Sequence, residues 1–64
     1  MTEAKEFYRF IFVMDNRNLG YDVEVEPSKA ETMFRADLNG SVGIVSGELW
    51  KDGRLLLSAY PDPD

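Results

Sequence analysis

Residues 26–40 read Glu-Pro-Ser-Lys-Ala-Glu-Thr-Met-Phe-Arg-Ala-Asp-Leu-Asn-Gly, and whether they coil or extend decides the fold. Proline cannot donate to a strand ladder and restricts the residue before it, so Glu26-Pro27 ends whatever strand precedes it. Ser28-Lys29-Ala30-Glu31 fits a capping box, with serine at the N-cap and glutamate three residues on. From Lys29 to Leu38 the only β-branched residue is Thr32, and good helix formers predominate. Ala30, Met33, Phe34 and Leu38 fall on one helical face, Glu31 and Arg35 make an i,i+4 pair on the outer side, and Asn39-Gly40 supplies a stop. A rival signal runs through the same residues. Phe34, Ala36 and Leu38 alternate, and Asn39-Gly40 is a strong hairpin dipeptide. The helix makes the chain α+β, ββαββ with a four-stranded antiparallel sheet and one helix; the strand makes it all-β, five short antiparallel strands. The density of helix formers favours the first.

Upstream, Lys5 to Met14 (Lys-Glu-Phe-Tyr-Arg-Phe-Ile-Phe-Val-Met) is the most hydrophobic segment and reads as a strand. Tyr8, Phe10, Phe12 and Met14 share one face, and Phe7, Arg9, Ile11 and Val13 the other. A strand apolar on both faces belongs in the middle of a sheet. Asp15 to Gly20 is a turn rich in Asn, Asp and Gly. Gly20 to Glu26, Gly-Tyr-Asp-Val-Glu-Val-Glu, alternates strictly: Tyr21, Val23 and Val25 point one way, Asp22, Glu24 and Glu26 the other. Parity pairs the two apolar sets, and the register expected is Met14 with Tyr21, Phe12 with Val23 and Phe10 with Val25. Arg9 then faces Glu26, and Ile11 faces Glu24.

Downstream, Ser41 to Trp50 reads as a strand in which Gly43 and Gly47 mark a bulge or a close backbone approach. Lys51-Asp52-Gly53 is a tight turn, and Arg54 to Tyr60 the last strand. The single domain spans residues 1–60, and the proline-broken tail 61–64 is expected to be mobile. One helix covers one face of the sheet. The other face, with Phe7, Ile11 and Val13, either curls to cover itself or presents an apolar patch rimmed by acid.

Sixty-four residues hold one marginal domain. With no cysteine and no histidine, disulfides and the usual zinc ligands are excluded. Packing, self-association or a partner must supply stability. No apolar run is long enough to cross a membrane, and the polar start does not read as a signal peptide, so a cytoplasmic protein is expected. Twelve acids against seven bases give a net charge of −5. That charge disfavours nucleic acid as a direct ligand and favours a basic partner surface.

Chemistry is hard to find. Histidine, the usual general base, is absent, and Lys29 beside Ser28 is explained by helix capping, so no enzyme is expected. Gly40 to Gly47 lacks the ending of a phosphate loop. Asp15, Gly20 and Glu26 match three positions of a calcium-loop frame, but Arg17 and Leu19 fall where ligands are needed. Tyr8, Phe10 and Phe12 resemble a base-stacking platform only superficially, since acids flank them. No cofactor or metal is therefore expected. What remains is the acidic row: alternate positions of a strand lie about 6.6–6.8 Å apart, on the order of the contour spacing between phosphates along one nucleic-acid strand. Asp22, Glu24 and Glu26 are the expected partner-binding residues, with Asp15, Glu48 and Asp52 as flanks.

In size, acidity, lack of cysteine and ββαββ-like pattern, with the stretches Tyr-Asp-Val-Glu-Val-Glu and Gly-Glu-Leu-Trp-Lys-Asp-Gly, the chain resembles small phage-encoded anti-CRISPR proteins and other DNA-mimicking inhibitors. The resemblance covers the character of the whole chain and rests on no shared motif. It implies a basic, nucleic-acid-binding protein or complex of a bacterial defence system as the target. Two other classes stay open: a homodimeric or subunit-type module that associates through Phe7, Ile11 and Val13, and a small-molecule or metal-binding domain, for which so short a chain has little room to enclose a pocket.

Overall fold

In the computed structural model, which describes residues 3–61, the chain folds as β1 (Glu6–Met14), β2 (Asn18–Val25), α1 (Pro27–Gly40), β3 (Ile44–Lys51) and β4 (Arg54–Ala59). The four strands form one antiparallel-paired sheet in the order β2-β1-β3-β4. The ambiguous segment is a helix, and the architecture is the expected ββαββ. β2 and β3 both run antiparallel to β1 and so run parallel to each other. A parallel relation needs a crossover, and α1 supplies it, carrying the chain over the sheet from edge strand β2 to β3. β1, apolar on both faces, sits between them as its pattern requires. The expectation for the tail falls, apart from Pro61, outside the described residues.

Apolar parity decides which face the helix covers. Tyr8, Phe10 and Phe12 from β1, Val25 from β2 and Leu49 from β3 are buried against Ala30, Phe34 and Leu38 of α1. Their helical spacing of four brings one turn after another onto the sheet. Phe34 is the centre. Its ring lies 5.6 Å from that of Phe12, stacked, and 5.6 Å from that of Phe10, edge-on. Met33, expected on the buried face, is instead substantially exposed at its edge. Gly47 explains how the helix gets so close. A Cβ there would come within 3.0 Å of side-chain atoms of Leu38, Phe12 and Phe34, so glycine is the residue that lets α1 seat its aromatic ring on β3.

Three local expectations change. The first hairpin turns over Asp15–Arg17 rather than over 15–20, closed by the Met14 N–H donating to the Arg17 carbonyl at 2.8 Å. The partners therefore slide by four positions: Phe10 pairs with Tyr21, Tyr8 with Val23 and Arg9 with Asp22, not Glu26. The slide is even, so every side chain keeps its face. Second, Ser28 is not the N-cap. Proline's fixed φ suits the first helical position, and α1 starts at Pro27 with Glu26 as its N-cap. Ser28 lies in the first turn, where Glu3 Oε1 accepts from its backbone N–H at 3.1 Å and from its Oγ at 2.7 Å. A carboxylate from outside the helix thus satisfies an orphan donor, and the hydroxyl bond holds the Glu3 carboxyl below its ordinary pKa. Third, the helix stops at Gly40 as expected, but the left-handed turn residue is Gly43 at φ 91°, so β3 starts at Ile44 rather than at Ser41. The Asp52-Gly53 turn between β3 and β4 holds, with φ of 53° and 75°.

Candidate binding face

The helix leaves one face of the sheet open, and pairing arranges that face in rows. Asp22 of β2, Arg9 of β1, Trp50 of β3 and Leu55 of β4 form one row across it. Gly20, Ile11, Glu48 and Ser58 form the next. Glu24 stands opposite Phe7 on the other side of the first row. Phe7 is 64% exposed, a phenylalanine with most of its surface in solvent. Phe7, Arg9, Ile11, Asp22, Trp50 and Asp52 border a groove of about 480 Å³. It is an open trough rather than an enclosed pocket, which is how so short a chain comes to carry one.

Two contacts fix its walls. The Trp50 indole N–H donates to Glu48 Oε1 at 3.0 Å, which limits rotation of the ring. Arg9 Nε donates to Asp22 Oδ1 at 3.0 Å. That bond holds the Asp22 carboxyl below its usual range and raises Arg9 further. Both side chains remain more than half exposed, at 61% and 56%, so the pair contributes little to stability.

The acidic row is thus divided. Asp22 and Glu24 share the open face as their alternation requires, but Asp22 is occupied by Arg9. Glu26 lies beyond the end of β2 as the helix N-cap, its side chain only 18% exposed and 3.9 Å from Lys29 Nζ. Glu24 has no ion pair among the described residues. Asp52 joins Asp22 and Glu24 around Phe7, with Lys51 Nζ 3.6 Å from its carboxylate. Glu48 lies mid-face beside Ile11. Asp15 sits in the turn at the far end of β1, roughly 25 Å along the strand from Phe7 at about 3.3 Å per residue. The structure gathers Asp22, Glu24, Asp52 and Glu48 with Phe7 and Ile11, and leaves Glu26 and Asp15 apart. Trp50 is not among the expected binding residues, although Gly47-Glu48-Leu49-Trp50 alternates and, once Leu49 is assigned to the core, puts Trp50 with Glu48 on the other side.

On the helix side, the Tyr21 hydroxyl donates to Asp37 Oδ2, tying edge strand β2 to α1. Burial, with that hydrogen bond behind it, pushes the Tyr21 phenol from 10.0 up to about 12. The fold favours the neutral phenol, so the stability it contributes is intact below about pH 10 and is lost as pH rises through about 12. Denaturation midpoints measured across that window should fall more steeply for the native chain than for Tyr21→Phe; parallel curves would show that the phenol is not linked to folding.

Among the described residues no three acids converge as a set of metal ligands, no charged or polar side chain is buried, and no helix is long and apolar enough to cross a membrane. No family model matches the chain, and neither a curated protein nor a solved structure matches it.

Proposed function

We propose that this chain is a non-enzymatic acidic binding protein that occupies the basic site of a nucleic-acid-binding protein or complex, as the DNA-mimicking inhibitors it resembles do, anti-CRISPR proteins among them. The observation that carries this reading is the composition of the open face. Its strand positions and the β3–β4 turn place Asp22, Glu24, Glu48 and Asp52 around Phe7, Ile11 and Trp50, against two cations, Arg9 at Asp22 and Lys51 at Asp52. Acids at the rim steer a basic surface and exclude acidic ones, while a partly desolvated aromatic centre supplies affinity. The mimicry rests on the face as a whole rather than on a straight row of three, since Glu26 leaves the strand.

A second reading has one observation in its favour: the exposed Phe7 beside Ile11 and Trp50 also suits a second copy of the chain, or a fellow subunit. Charge weighs against a second copy. Two such faces would bring like carboxylates together on molecules each carrying −5.

The test is capture from a bacterial lysate on the immobilised protein, with elution by salt and, separately, by double-stranded oligonucleotide. Proteins released by the oligonucleotide as well as by salt are the expected result. Bound proteins that resist both would remove the basis for mimicry.

A further inference from the structure

We propose that the groove between Phe7 and Trp50 is an arginine-receiving site: a guanidinium from a basic partner segment lies against the indole, and the Asp22 and Asp52 carboxylates accept its N–H groups. The inference rests on the acidic-face reading above and names what that face recognises.

Three features select arginine. The groove combines aromatic surface with carboxylates at its border. A guanidinium is planar, stacks on aromatic rings and donates in a fork that matches a carboxylate, whereas lysine's ammonium is a strongly hydrated point charge that does neither as well. The indole is already held by Glu48, so little ordering is lost when a ligand stacks on it. Most telling, the groove holds a guanidinium of its own. Arg9 stands between Asp22 and Trp50 in the cross-strand row and donates to Asp22 from a largely exposed position. Arg9 is therefore an internal stand-in: it shows that the groove's chemistry accepts this group, and it competes with an incoming one for Asp22.

Charge complementarity chooses this occupant over a second copy. The strand positions and turn of the face carry four carboxylates against the Arg9 guanidinium and the Lys51 ammonium 3.6 Å from Asp52, a net negative arrangement that repels itself and attracts a basic segment.

The competition gives the proposal a signed test. Fluorescently labelled hexa-arginine and hexa-lysine are titrated by anisotropy against the native protein, Trp50→Leu, Asp52→Asn and Arg9→Met, with circular dichroism as a check of folding. Hexa-arginine should bind about tenfold more tightly than hexa-lysine, reflecting the stacking and bidentate terms. Asp52→Asn and Trp50→Leu should each remove most of that preference. Asparagine tolerates the left-handed backbone at position 52, so the Asp52 variant remains informative if the tryptophan variant does not fold. Arg9→Met keeps an apolar stem and frees Asp22, and should tighten hexa-arginine binding by about threefold or more. Equal binding of the two peptides, or an Arg9→Met variant no tighter than the native chain, overturns the groove assignment. If that occurs while Glu24→Lys still weakens both peptides, the acidic-face reading survives and the arginine site does not. A stable dimer by light scattering that excludes both peptides overturns it in favour of self-association.

Discussion

Phe34→Ala should leave the chain unfolded, or nearly so, at room temperature. Removing a fully buried phenylalanine costs about 3–5 kcal/mol, and a domain of this size has a total stability on the order of 3–9 kcal/mol at the usual value per residue. The ring is completely buried and packs against both Phe10 and Phe12. It is the main means by which the one helix holds to the sheet, because the helix has no disulfide or buried ion pair to replace it. Collapse of the neighbours into the gap is restricted, because Gly47, which the Phe34 ring overlies together with Leu38 and Phe12, has no side chain to move into it. The reverse change, Gly47→Val, is expected to fail for the complementary reason, since overpacking a filled site costs about 1–3 kcal/mol or more. Urea denaturation followed by circular dichroism checks both. Phe7→Ala is the control, because Phe7 is mostly exposed and its loss should change stability by no more than about 0.5 kcal/mol. A Phe34→Ala midpoint close to that of Phe7→Ala would mean that the helix is held by something other than this cluster.

The contrast between Phe34 and Phe7 shows what the sequence disclosed and what it hid. Both are phenylalanines in regular elements, and both were assigned to the correct side by period alone: Phe34 by its spacing from Ala30 and Leu38, Phe7 by its parity with Ile11. Order and type of elements followed from the same two periods, together with Pro27 and the Asp52-Gly53 turn. Register did not. The Asp15–Gly20 stretch offers several turn residues, and nothing local says that the chain reverses over Asp15–Arg17 instead of the whole of it. That four-position slide is why Arg9 neutralises Asp22 rather than Glu26, and why Glu24 stands opposite Phe7 rather than Ile11. The cap failed for a related reason: Glu3, which takes up the Ser28 donors, is distant in sequence and has no pattern that announces the contact. Trp50 was legible through alternation, but its place beside Arg9 depends on β3 pairing with β1, which period does not reveal.

The place of each acid on the open face leads to the second large effect. Glu24→Lys with Asp52→Lys should weaken capture of a basic partner by about a hundredfold or more, taking each reversal as worth about 1.4 kcal/mol, or tenfold. Asp15→Lys should change it by less than about threefold. All three positions are exposed and each reversal alters net charge by the same amount, so a response to overall charge would treat them alike. Position separates them. Glu24 and Asp52 flank Phe7 at one end of the open face, whereas Asp15 lies roughly 25 Å away along β1, beyond the ~10 Å over which charges act through 0.1 M salt. Asp22→Lys is less informative, because it strands Arg9 as well as removing a carboxylate. Glu26→Lys disturbs the helix N-cap. Affinities measured at low and high salt on the captured protein decide the matter. If Asp15→Lys weakens binding as much as Glu24→Lys does, the protein works through its total charge; if neither double nor single reversal matters, the open face is not where the partner sits.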